Sequence, residues 1–348
     1  MPAPLANIPV HLITGFLGSG KSTLIHRLID QKPAGERWAV LVNEFGQVGI
    51  DQAMFDERDD LVVKGLPGGC LCCQLAFVMQ ATLVNLLHRY RPDRLIIEPS
   101  GLGHPAGLLE VLRGEAFNDV LAVQDIITVL DPRRLDDPRC REHETFRDQL
   151  AIADAVALTM VDLATPSQRA AAEALLAESW PPKKWVRAAP HGELPLALLF
   201  EGAGGSRVPS RSSPDSETHR QLREAAGPSL VLEGFGEATP TPGQPVRQQG
   251  DSLGYATLGW RWHPEDRFDL DRITALLGEL PVWLRIKGVL HTDAGWKRYN
   301  RADGTVSLEE AGWRQDSRLE IIGEARSLPE AAALEARLAA CRLAPPSP

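Results

Sequence analysis

The sequence predicts an α/β protein, in which a mostly parallel β-sheet is covered by helices on both faces and is followed by a smaller α+β domain. Three observations support this prediction. Apolar, strand-like runs alternate with helical patterns from residue 8 to about residue 190. A glycine-rich segment at 15–23 separates the first strand from the first helix. The pattern is interrupted at 201–250 and resumes in a different form near Tyr255.

The elements of the first part alternate as expected for parallel strands joined by helices. Short, continuous apolar runs are typical of strands buried on both faces. Such runs occur at 8–13, 38–42, 61–64, 94–98, 120–130 and 154–160. Apolar residues at helical spacing predict helices at 21–31, 74–90, 105–113, 141–152 and 166–179. In such sheets ligands bind beyond the carboxyl ends of the strands, where the candidate site residues should be sought.

The second part of the chain begins with a change of composition. Residues 201–250 are rich in Gly, Ser and Pro, which predicts a loose linker around one short ordered piece. The α+β pattern that follows consists of a strand at 254–262, a helix at 266–277, strands near 283–290 and 318–322, and a closing helix at 328–341. The predicted organisation is therefore a domain at 1–200, a linker at 201–250 and a second domain at 251–348.

Composition restricts the class of partner. The 348 residues carry a net charge of −9, which argues against nucleic acid or an anionic membrane as partner. No apolar run approaches the ~20 residues that span a bilayer, and no signal peptide is expected. Three of the five cysteines fall within four positions, which favours a metal or redox site in the reducing cytoplasm over a disulfide framework.

The segment at 15–23 reads Gly-Phe-Leu-Gly-Ser-Gly-Lys-Ser-Thr and matches the phosphate-binding pattern G-x-x-x-x-G-K-[ST]. Its glycines let backbone N–H groups point at phosphate oxygens, the lysine reaches the outer phosphates, and the serine hydroxyl suits Mg²⁺. The strand before it and the helix after it give the motif its required context. The predicted nucleotide-binding residues are Gly15, Gly18, Ser19, Gly20, Lys21, Ser22 and Thr23.

Acidic residues follow two of the predicted strands. Strand 38–42, expected next to the strand that carries the loop, leads into Glu44 and Asp51, which are candidates for Mg²⁺ or for a second metal. Strand 94–98 ends in Glu98, followed by a turn containing Gly101. That is the position for a carboxylate that holds Mg²⁺ or orients the attacking water, and for a glycine N–H near the γ-phosphate.

The cysteine cluster lies between these two strand ends. Cys70, Cys72 and Cys73 follow two glycines and precede an amphipathic helix, and thiolates are soft ligands for Zn²⁺, Co²⁺ or Cu⁺. The loop cannot supply four ligands, so a coordination position stays open, as suits a metal that is taken up and passed on. Cys140 and Cys341 are isolated and are interpreted as structural.

Taken together these motifs resemble the CobW-type GTPases, a family that includes cobalt- and zinc-handling metallochaperones. The resemblance rests on 15–23, on Asn43-Glu44-Phe45-Gly46 with Asp51, on the C-x-C-C motif at 70–73, on Glu98-Pro99-Ser100-Gly101 and, more weakly, on 285–288 and 317–319. It implies a P-loop NTPase fold of the SIMIBI type with a CobW-type C-terminal domain. It also implies Mg²⁺-dependent GTP hydrolysis, with Lys21 and Glu98 in catalysis, and delivery of Zn²⁺ or Co²⁺ from the cysteines to a client metalloprotein or cofactor-biosynthesis enzyme.

The sequence departs from the family pattern at the base-reading motif Asn-Lys-x-Asp. Here the strand at 154–160 leads into Thr159-Met160-Val161-Asp162, so Asp162 is retained to read guanine while the amide is lost. A site discriminates through the hydrogen bonds it makes, so loss of the Asn amide should weaken the choice of guanine. Asp162 alone still favours GTP, and ATP use or weak selectivity is the alternative. The linker has only His219, and of the other histidines His104 alone, just after the 98–101 turn, is a candidate ligand.

Two other functions fit the same residues. One is a metal sensor or buffer in which the nucleotide only stabilises the fold. The other is an ATP-using small-molecule kinase with a structural zinc, against which the missing second pair of cysteines argues. The C-terminal domain could offer its surface to a client or to a second copy in a homodimer, and nothing in the sequence specifies either.

Overall fold

The computed structural model describes residues 5–43, 60–66, 73–103, 105–201, 240–252, 255–302 and 304–343. Within these residues the strands form two separate sheets, one of seven strands and one of six. This arrangement confirms the predicted α/β fold with a smaller α+β part. No helix in the described ranges combines the length and the apolar composition needed to cross a membrane.

The strands of the first sheet lie close to the predicted runs. They are β1 (Ile8–Thr14), β2 (Trp38–Asn43), β3 (Leu61–Leu66), β4 (Arg94–Glu98), β5 (Leu121–Leu130), β6 (Ala155–Leu158) and β7 (Val186–Ala188). Their spatial order is β3-β2-β4-β1-β5-β6-β7, and the neighbours from β4 to β7 all pair in parallel. The apolar side chains of β1 and β4 are almost fully buried, as their continuous apolar sequences predict.

One expectation about this sheet is wrong. The strand at 38–42 was expected beside the strand that carries the phosphate loop, but β4 lies between β2 and β1. Both sides of β1 are occupied, by β4 in the register Leu12 to Ile97 and by β5 in the register Thr14 to Thr128. On the β4 side of β1, the carboxyl end that borders the loop is therefore the one that carries Glu98.

Helices connect these strands. They are α1 (Lys21–Asp30), α2 (Cys73–Tyr90), α3 (Pro105–Leu112), α4 (Pro138–Arg141), α5 (Glu144–Ile152), α6 (Pro166–Ala177) and α7 (Ala197–Glu201). The predicted helix at 141–152 begins three residues late as α5, because His143 in its N-cap position is extended, and Arg141 instead ends the separate short helix α4. Thr165 and Gln168 form a capping box at the start of α6, with Pro166 in the first helical position.

The second sheet is antiparallel. Its strands are β8 (Val246–Ser252), β9 (Tyr255–Trp262), β10 (Arg285–Thr292), β11 (Gly295–Ala302), β12 (Thr305–Glu310) and β13 (Ser317–Glu324), in the spatial order β12-β11-β10-β13-β9-β8. The sequence did not predict β11 and β12, because β11 mixes cationic and aromatic residues and every residue of β12 is exposed. β8 begins inside the predicted linker, since a polar sequence is held there by backbone pairing with β9.

Two helices complete this part of the chain, α8 (Leu270–Glu279) and α9 (Ala331–Ala340). α8 begins four residues later than predicted, because the Asp269 carboxylate accepts a hydrogen bond from the N–H of Arg272 and so caps the helix there. Phe268, just before this cap, is fully buried and packs its ring edge-on against Trp262. The core between helices and sheet is thus built largely from aromatic and aliphatic side chains.

Candidate nucleotide-binding site

The candidate site lies at the carboxyl edge of the first sheet. The loop after β1 leads directly into α1, which begins at Lys21. Because Leu12 pairs with Ile97, the next residue of β4, Glu98, comes level with the end of β1. Parallel strands bring their carboxyl ends to one edge, so the loop, Glu98 and the segment after β6 converge there.

The loop adopts backbone conformations that favour glycine. Gly15, Gly18 and Gly20 have φ angles of 146°, 82° and 87°, and Gly20 caps α1 in the left-handed conformation. At Gly15 a Cβ atom would lie 2.4 Å from the carbonyl oxygen of Val129, so a side chain does not fit. The loop therefore depends on the glycines that the motif requires.

Polar groups of this segment point into the loop. Lys21 is only 8% exposed, and its Nζ donates to the carbonyl oxygens of Gly15 at 2.9 Å and Phe16 at 3.5 Å. The Ser19 hydroxyl is buried and has no hydrogen-bond partner among the described residues. Thr23, by contrast, is exposed on the first turn of α1. The start of α1 thus offers a cation and helix N–H groups to an anion.

Ser22 and Glu98 form the contact that joins the loop to β4. The Ser22 hydroxyl donates to Oε1 of Glu98 at 2.8 Å, and the glutamate is 3% exposed. Hydroxyl and carboxylate oxygens are the hard ligands that Mg²⁺ prefers. These two residues therefore fit a magnesium ion, although the sequence places them 76 positions apart.

The turn after β4 packs directly against the loop. It is closed by a hydrogen bond from the N–H of Gly103 to the carbonyl of Ser100 at 2.9 Å. A Cβ atom on Gly101 would lie 2.8 Å from the backbone of Leu17 and 3.1 Å from Nζ of Lys21. The sequence predicted Gly101 for its N–H, and the structure adds that its lack of a side chain permits this close approach.

A residue that the sequence did not predict holds this turn. Gln149 of α5 is 1% exposed, and its Nε2 donates to the carbonyl oxygens of Gly101 and Gly103, each at 3.2 Å. No local pattern marks Gln149, because its partners lie almost fifty positions away in the chain.

The segment after β6 carries the predicted base-reading residues. The hydroxyl of Thr159 donates to the carbonyl of Ser19 at 2.6 Å, so the first residue of the motif is tied to the phosphate loop without an amide. Met160 follows with a φ of 52°, and its Cε would lie 3.6 Å from a Cβ on Gly20. Asp162, the predicted base-reading carboxylate, is partly exposed.

A histidine that was not predicted faces this aspartate. Nδ1 of His191 lies 3.8 Å from Oδ2 of Asp162, in the turn Pro190–Gly192 that follows β7. Gly192 packs against the backbone of α1, where a Cβ would lie 3.0 Å from the N of Leu24. The signal that could have located this turn is β7, which at three residues is too short to stand out as a strand.

The predicted metal ligands lie mostly outside the described residues. Cys70, Cys72, Glu44, Asp51 and His104 are outside them. Cys73 is the first residue of α2, and the structure does not describe its side chain. Within the described ranges, no group of three or more His, Cys, Asp or Glu side chains is placed to hold a metal ion.

The two isolated cysteines are free and buried. Burial raises the pKa of the Cys140 thiol to about 12 and also raises the pKa of Cys341. A metal binds the thiolate, so neither residue competes with the cysteine loop as a ligand at neutral pH.

Comparison with known proteins gives a family for each part of the chain. The CobW/HypB/UreG nucleotide-binding domain matches residues 9–187, and the C-terminal domain of the cobalamin synthesis protein CobW matches residues 258–342. "Zinc chaperone YeiR" of Escherichia coli is 35% identical over 335 residues, which cover 96% of this chain and 98% of that protein.

Two other relatives match shorter stretches. "Zinc chaperone CobW" of Pseudomonas aeruginosa is 33% identical over 226 residues, covering 56% of this chain and 60% of that protein. "Zinc-regulated GTPase metalloprotein activator 1" of Saccharomyces cerevisiae is 37% identical over 131 residues, covering 36% of this chain and 30% of that protein. With its nucleotide-binding domain, its C-terminal domain and a relative that it matches almost end to end, the chain belongs to the CobW family of CobW/HypB/UreG-type nucleotide-binding proteins.

Proposed function

We propose that this protein is a Mg²⁺-dependent GTP hydrolase that acts as a zinc metallochaperone. The observation that carries the proposal is the 2.8 Å contact between the Ser22 hydroxyl and the Glu98 carboxylate, beside the buried ammonium of Lys21. It brings a magnesium-type ligand pair next to a phosphate-binding loop. The names of the relatives, zinc chaperones and a zinc-regulated GTPase, support the choice of nucleotide and metal.

Each residue of the site has a role in this proposal. The backbone N–H groups of 15–22 and Lys21 hold the β- and γ-phosphates, and the N–H of Gly101 faces the γ-phosphate. Ser22 and Glu98 hold Mg²⁺, and Glu98 alternatively orients the attacking water. When bound, Mg²⁺ neutralises charge that develops on the phosphate oxygens. The protein contributes mainly position and electrostatics, which is what phosphoryl transfer needs.

The residues proposed to contact the base support binding of guanine, with reduced selectivity against adenine. Asp162 accepts from the guanine N1 and N2 hydrogens in this proposal, while Thr159 ties its own segment to the phosphate loop by the bond to Ser19. Thr159 supplies no amide to the base, so one source of discrimination against adenine is missing. GTP is the proposed substrate, with measurable use of ATP.

The metal is cargo and is held at the cysteine loop. Cys70, Cys72 and Cys73 are the proposed ligands of Zn²⁺, with Co²⁺ as the alternative metal. Glu44 and Asp51 are the proposed candidates for Mg²⁺ or for a second metal beside the nucleotide. Hydrolysis would release contacts to the γ-phosphate and so loosen the loop for transfer. The client would be a metalloprotein or a cofactor-biosynthesis enzyme in the reducing cytoplasm, where the thiols stay reduced.

The first experiment measures GTP hydrolysis with and without Mg²⁺ in the wild type and in Lys21→Ala. Removal of the ammonium should abolish turnover, because the β- and γ-phosphates lose their cation and the developing charge is left unbalanced. Near-normal turnover in the variant would overturn the phosphate-loop assignment.

A second experiment tests the coupling to metal. Co²⁺ is titrated and followed by its thiolate and d–d absorption without nucleotide, with Mg²⁺·GDP, and with Mg²⁺ and a non-hydrolysable GTP or ATP analogue. Tight tetrahedral binding only with the triphosphate supports a hydrolysis-driven chaperone. Equal binding in all states would instead favour a metal sensor or buffer, and the better analogue reports base selectivity.

A further inference from the structure

Helix α5 contacts both segments that border the position proposed for the γ-phosphate. Towards the turn after β4, Gln149 donates from Nε2 to the carbonyl oxygens of Gly101 and Gly103. Its Oε1 is buried and has no hydrogen-bond partner among the described residues. The orientation of the amide is thereby fixed, because the flipped amide would set Oε1 against two carbonyl oxygens.

Towards the phosphate loop, α5 makes a second set of contacts. The ring of Phe146 meets Phe16 of the loop edge-on, at 5.8 Å between ring centres. The hydroxyl of Thr128 donates to the backbone carbonyl of Gln149 at 2.7 Å and lies 2.7 Å from the hydroxyl of Thr14. Since the single hydroxyl proton of Thr128 goes to Gln149, Thr14 must be the donor to Thr128. Gln149 is thus tied through Thr128 to the last residue of β1.

The turn that Gln149 holds has little freedom to shift towards the loop. Gly101 lies so close to Leu17 and to Nζ of Lys21 that even a methyl group would overlap the Leu17 backbone. A side-chain amide that grips two carbonyls of this turn therefore sets the distance between the turn and the loop. That distance matters most for a ligand group lying between Gly101 and Lys21.

We infer that Gln149 is a positioning residue that holds the 99–103 turn against the phosphate loop and thereby sets how strongly the site prefers nucleoside triphosphate over diphosphate. The inference rests on the proposed function, in which only the triphosphate presents a γ-phosphate to Gly101 and Lys21. Gln149 does not touch the nucleotide and acts through the turn. A merely structural role would instead predict a loss of stability with the preference unchanged.

The test replaces Gln149 by Leu, which nearly preserves volume and removes both donors, and by Glu, which places a carboxylate against two carbonyl oxygens. Affinities for GDP and for a non-hydrolysable GTP analogue are measured in Mg²⁺, together with single-turnover hydrolysis. In Gln149→Leu the affinity for the GTP analogue divided by the affinity for GDP should fall about tenfold, which is within the range of ordinary coupling between sites. GDP affinity should change less than twofold, and Gln149→Glu should lose more of the preference than Gln149→Leu.

Amide hydrogen exchange gives a readout that does not depend on activity. The amides of 101–103 should exchange about tenfold faster in Gln149→Leu than in the wild type, because the turn opens locally. The matched control is Gln168→Leu, which removes a half-buried capping glutamine that bonds Thr165 and Asp136 and has no hydrogen bond to this turn among the described residues. It should lower thermal stability and leave both the affinity ratio and exchange at 101–103 unchanged.

The outcomes separate this inference from the proposed function. A wild type that discriminates between the nucleotides, with the same ratio and the same exchange in Gln149→Leu, overturns the inference alone. A wild type that binds neither nucleotide removes the proposed function and the inference with it. Equal changes of the affinity ratio and of exchange at 101–103 in Gln149→Leu and Gln168→Leu would show that Gln149 contributes only to stability.

Discussion

His11 shows how burial decides the protonation state of a single residue in β1. The imidazole is 1% exposed, and its Nε2 lies 2.6 Å from Nη1 of Arg94, which donates to it. Burial, and then the positive charge of Arg94, lower the pKa of His11 to about 3. The folded protein therefore keeps this side chain neutral at a pH at which the unfolded chain binds a proton.

The stability of the nucleotide-binding domain should consequently fall as the pH drops below about 6.5. Between the folded pKa of about 3 and the unfolded value, the unfolded chain binds more protons at His11, so stability rises with pH in this window. At pH 5 the loss from His11 is about 2 kcal/mol. Urea unfolding of His11→Gln at pH 7.5 and pH 5 should show a smaller difference than the wild type. His88→Gln, at an exposed position, should keep the wild-type difference.

Thr159 raises a different question at the same scale, that of base selectivity. Thr159→Asn removes the hydroxyl that donates to the carbonyl of Ser19, but it supplies an Nδ2 amide that can donate there instead, and it restores the amide of the family motif. The preference for guanine over adenine nucleotides should rise about tenfold, measured as the ratio of GDP to ADP affinities. Thr159→Ser retains the hydroxyl alone and is the matched control. An equal ratio in the wild type, Thr159→Asn and Thr159→Ser would show that Thr159 does not contribute to base selectivity.

The sequence can predict those site residues whose spacing is local. Gly15, Gly20, Lys21 and Ser22 lie in one continuous motif whose chemistry requires their spacing. Gln149 could not be predicted this way, because its role depends on how the chain brings α5 to a turn far away in sequence. His191 lies in a short turn whose placement beside Asp162 likewise depends on tertiary packing.

At the scale of elements, the apolar runs predicted six of the seven described strands of the first sheet, but not how the strands are ordered. The apolar sequence of β4 indicated a buried strand, yet only the pairing shows that it lies beside β1. β12 could not be recognised because all of its residues are exposed, so neither face of the strand has a row of buried apolar side chains. β8 is polar, and pairing with β9 over seven residues makes it a strand.

Two glycines near the turn after β4 allow a matched test of how this element packs. Gly101→Ala places a methyl group 2.8 Å from the Leu17 backbone, so the turn must move away from the loop. We expect weaker binding of a GTP analogue by about tenfold or more and a lower melting temperature, because backbone cannot yield as a flexible side chain would. The readouts are nucleotide titration and thermal unfolding.

Gly107→Ala is the control for that substitution. Gly107 lies inside α3, and nothing lies within 4 Å of a Cβ built on it. Alanine there should leave nucleotide affinity unchanged and stabilise the protein by about 0.5–1 kcal/mol, because it lowers the entropy lost on folding. If Gly101→Ala behaved as Gly107→Ala does, close packing of the turn on the loop would be refuted.

For the whole molecule, the central question is whether nucleotide and metal act on one equilibrium. The C-x-C-C motif at 70–73 falls in the chain between β3 and β4, and β4 ends in Glu98 beside the phosphate loop. Sequence alone predicts this order of motifs, which is why the chemistry of both sites could be proposed without their geometry. Coupling is a property of the folded chain, and it is measured as a free energy shared by the two ligands.

Linkage makes the last prediction strict, because coupling between two ligands is reciprocal. If a GTP analogue raises Zn²⁺ affinity by some factor, Zn²⁺ must raise affinity for the analogue by the same factor. Cys72→Ala should remove tight Zn²⁺ binding and the effect of Zn²⁺ on the nucleotide, while nucleotide affinity without metal stays nearly unchanged.

Cys140→Ala, which removes a buried and protonated thiol, should keep both effects. Calorimetric titrations of each ligand with and without the other give the four affinities. Wild-type zinc affinity in Cys72→Ala would exclude Cys72 as a required ligand, and a factor of one in the wild type would show that metal and nucleotide do not act on one equilibrium.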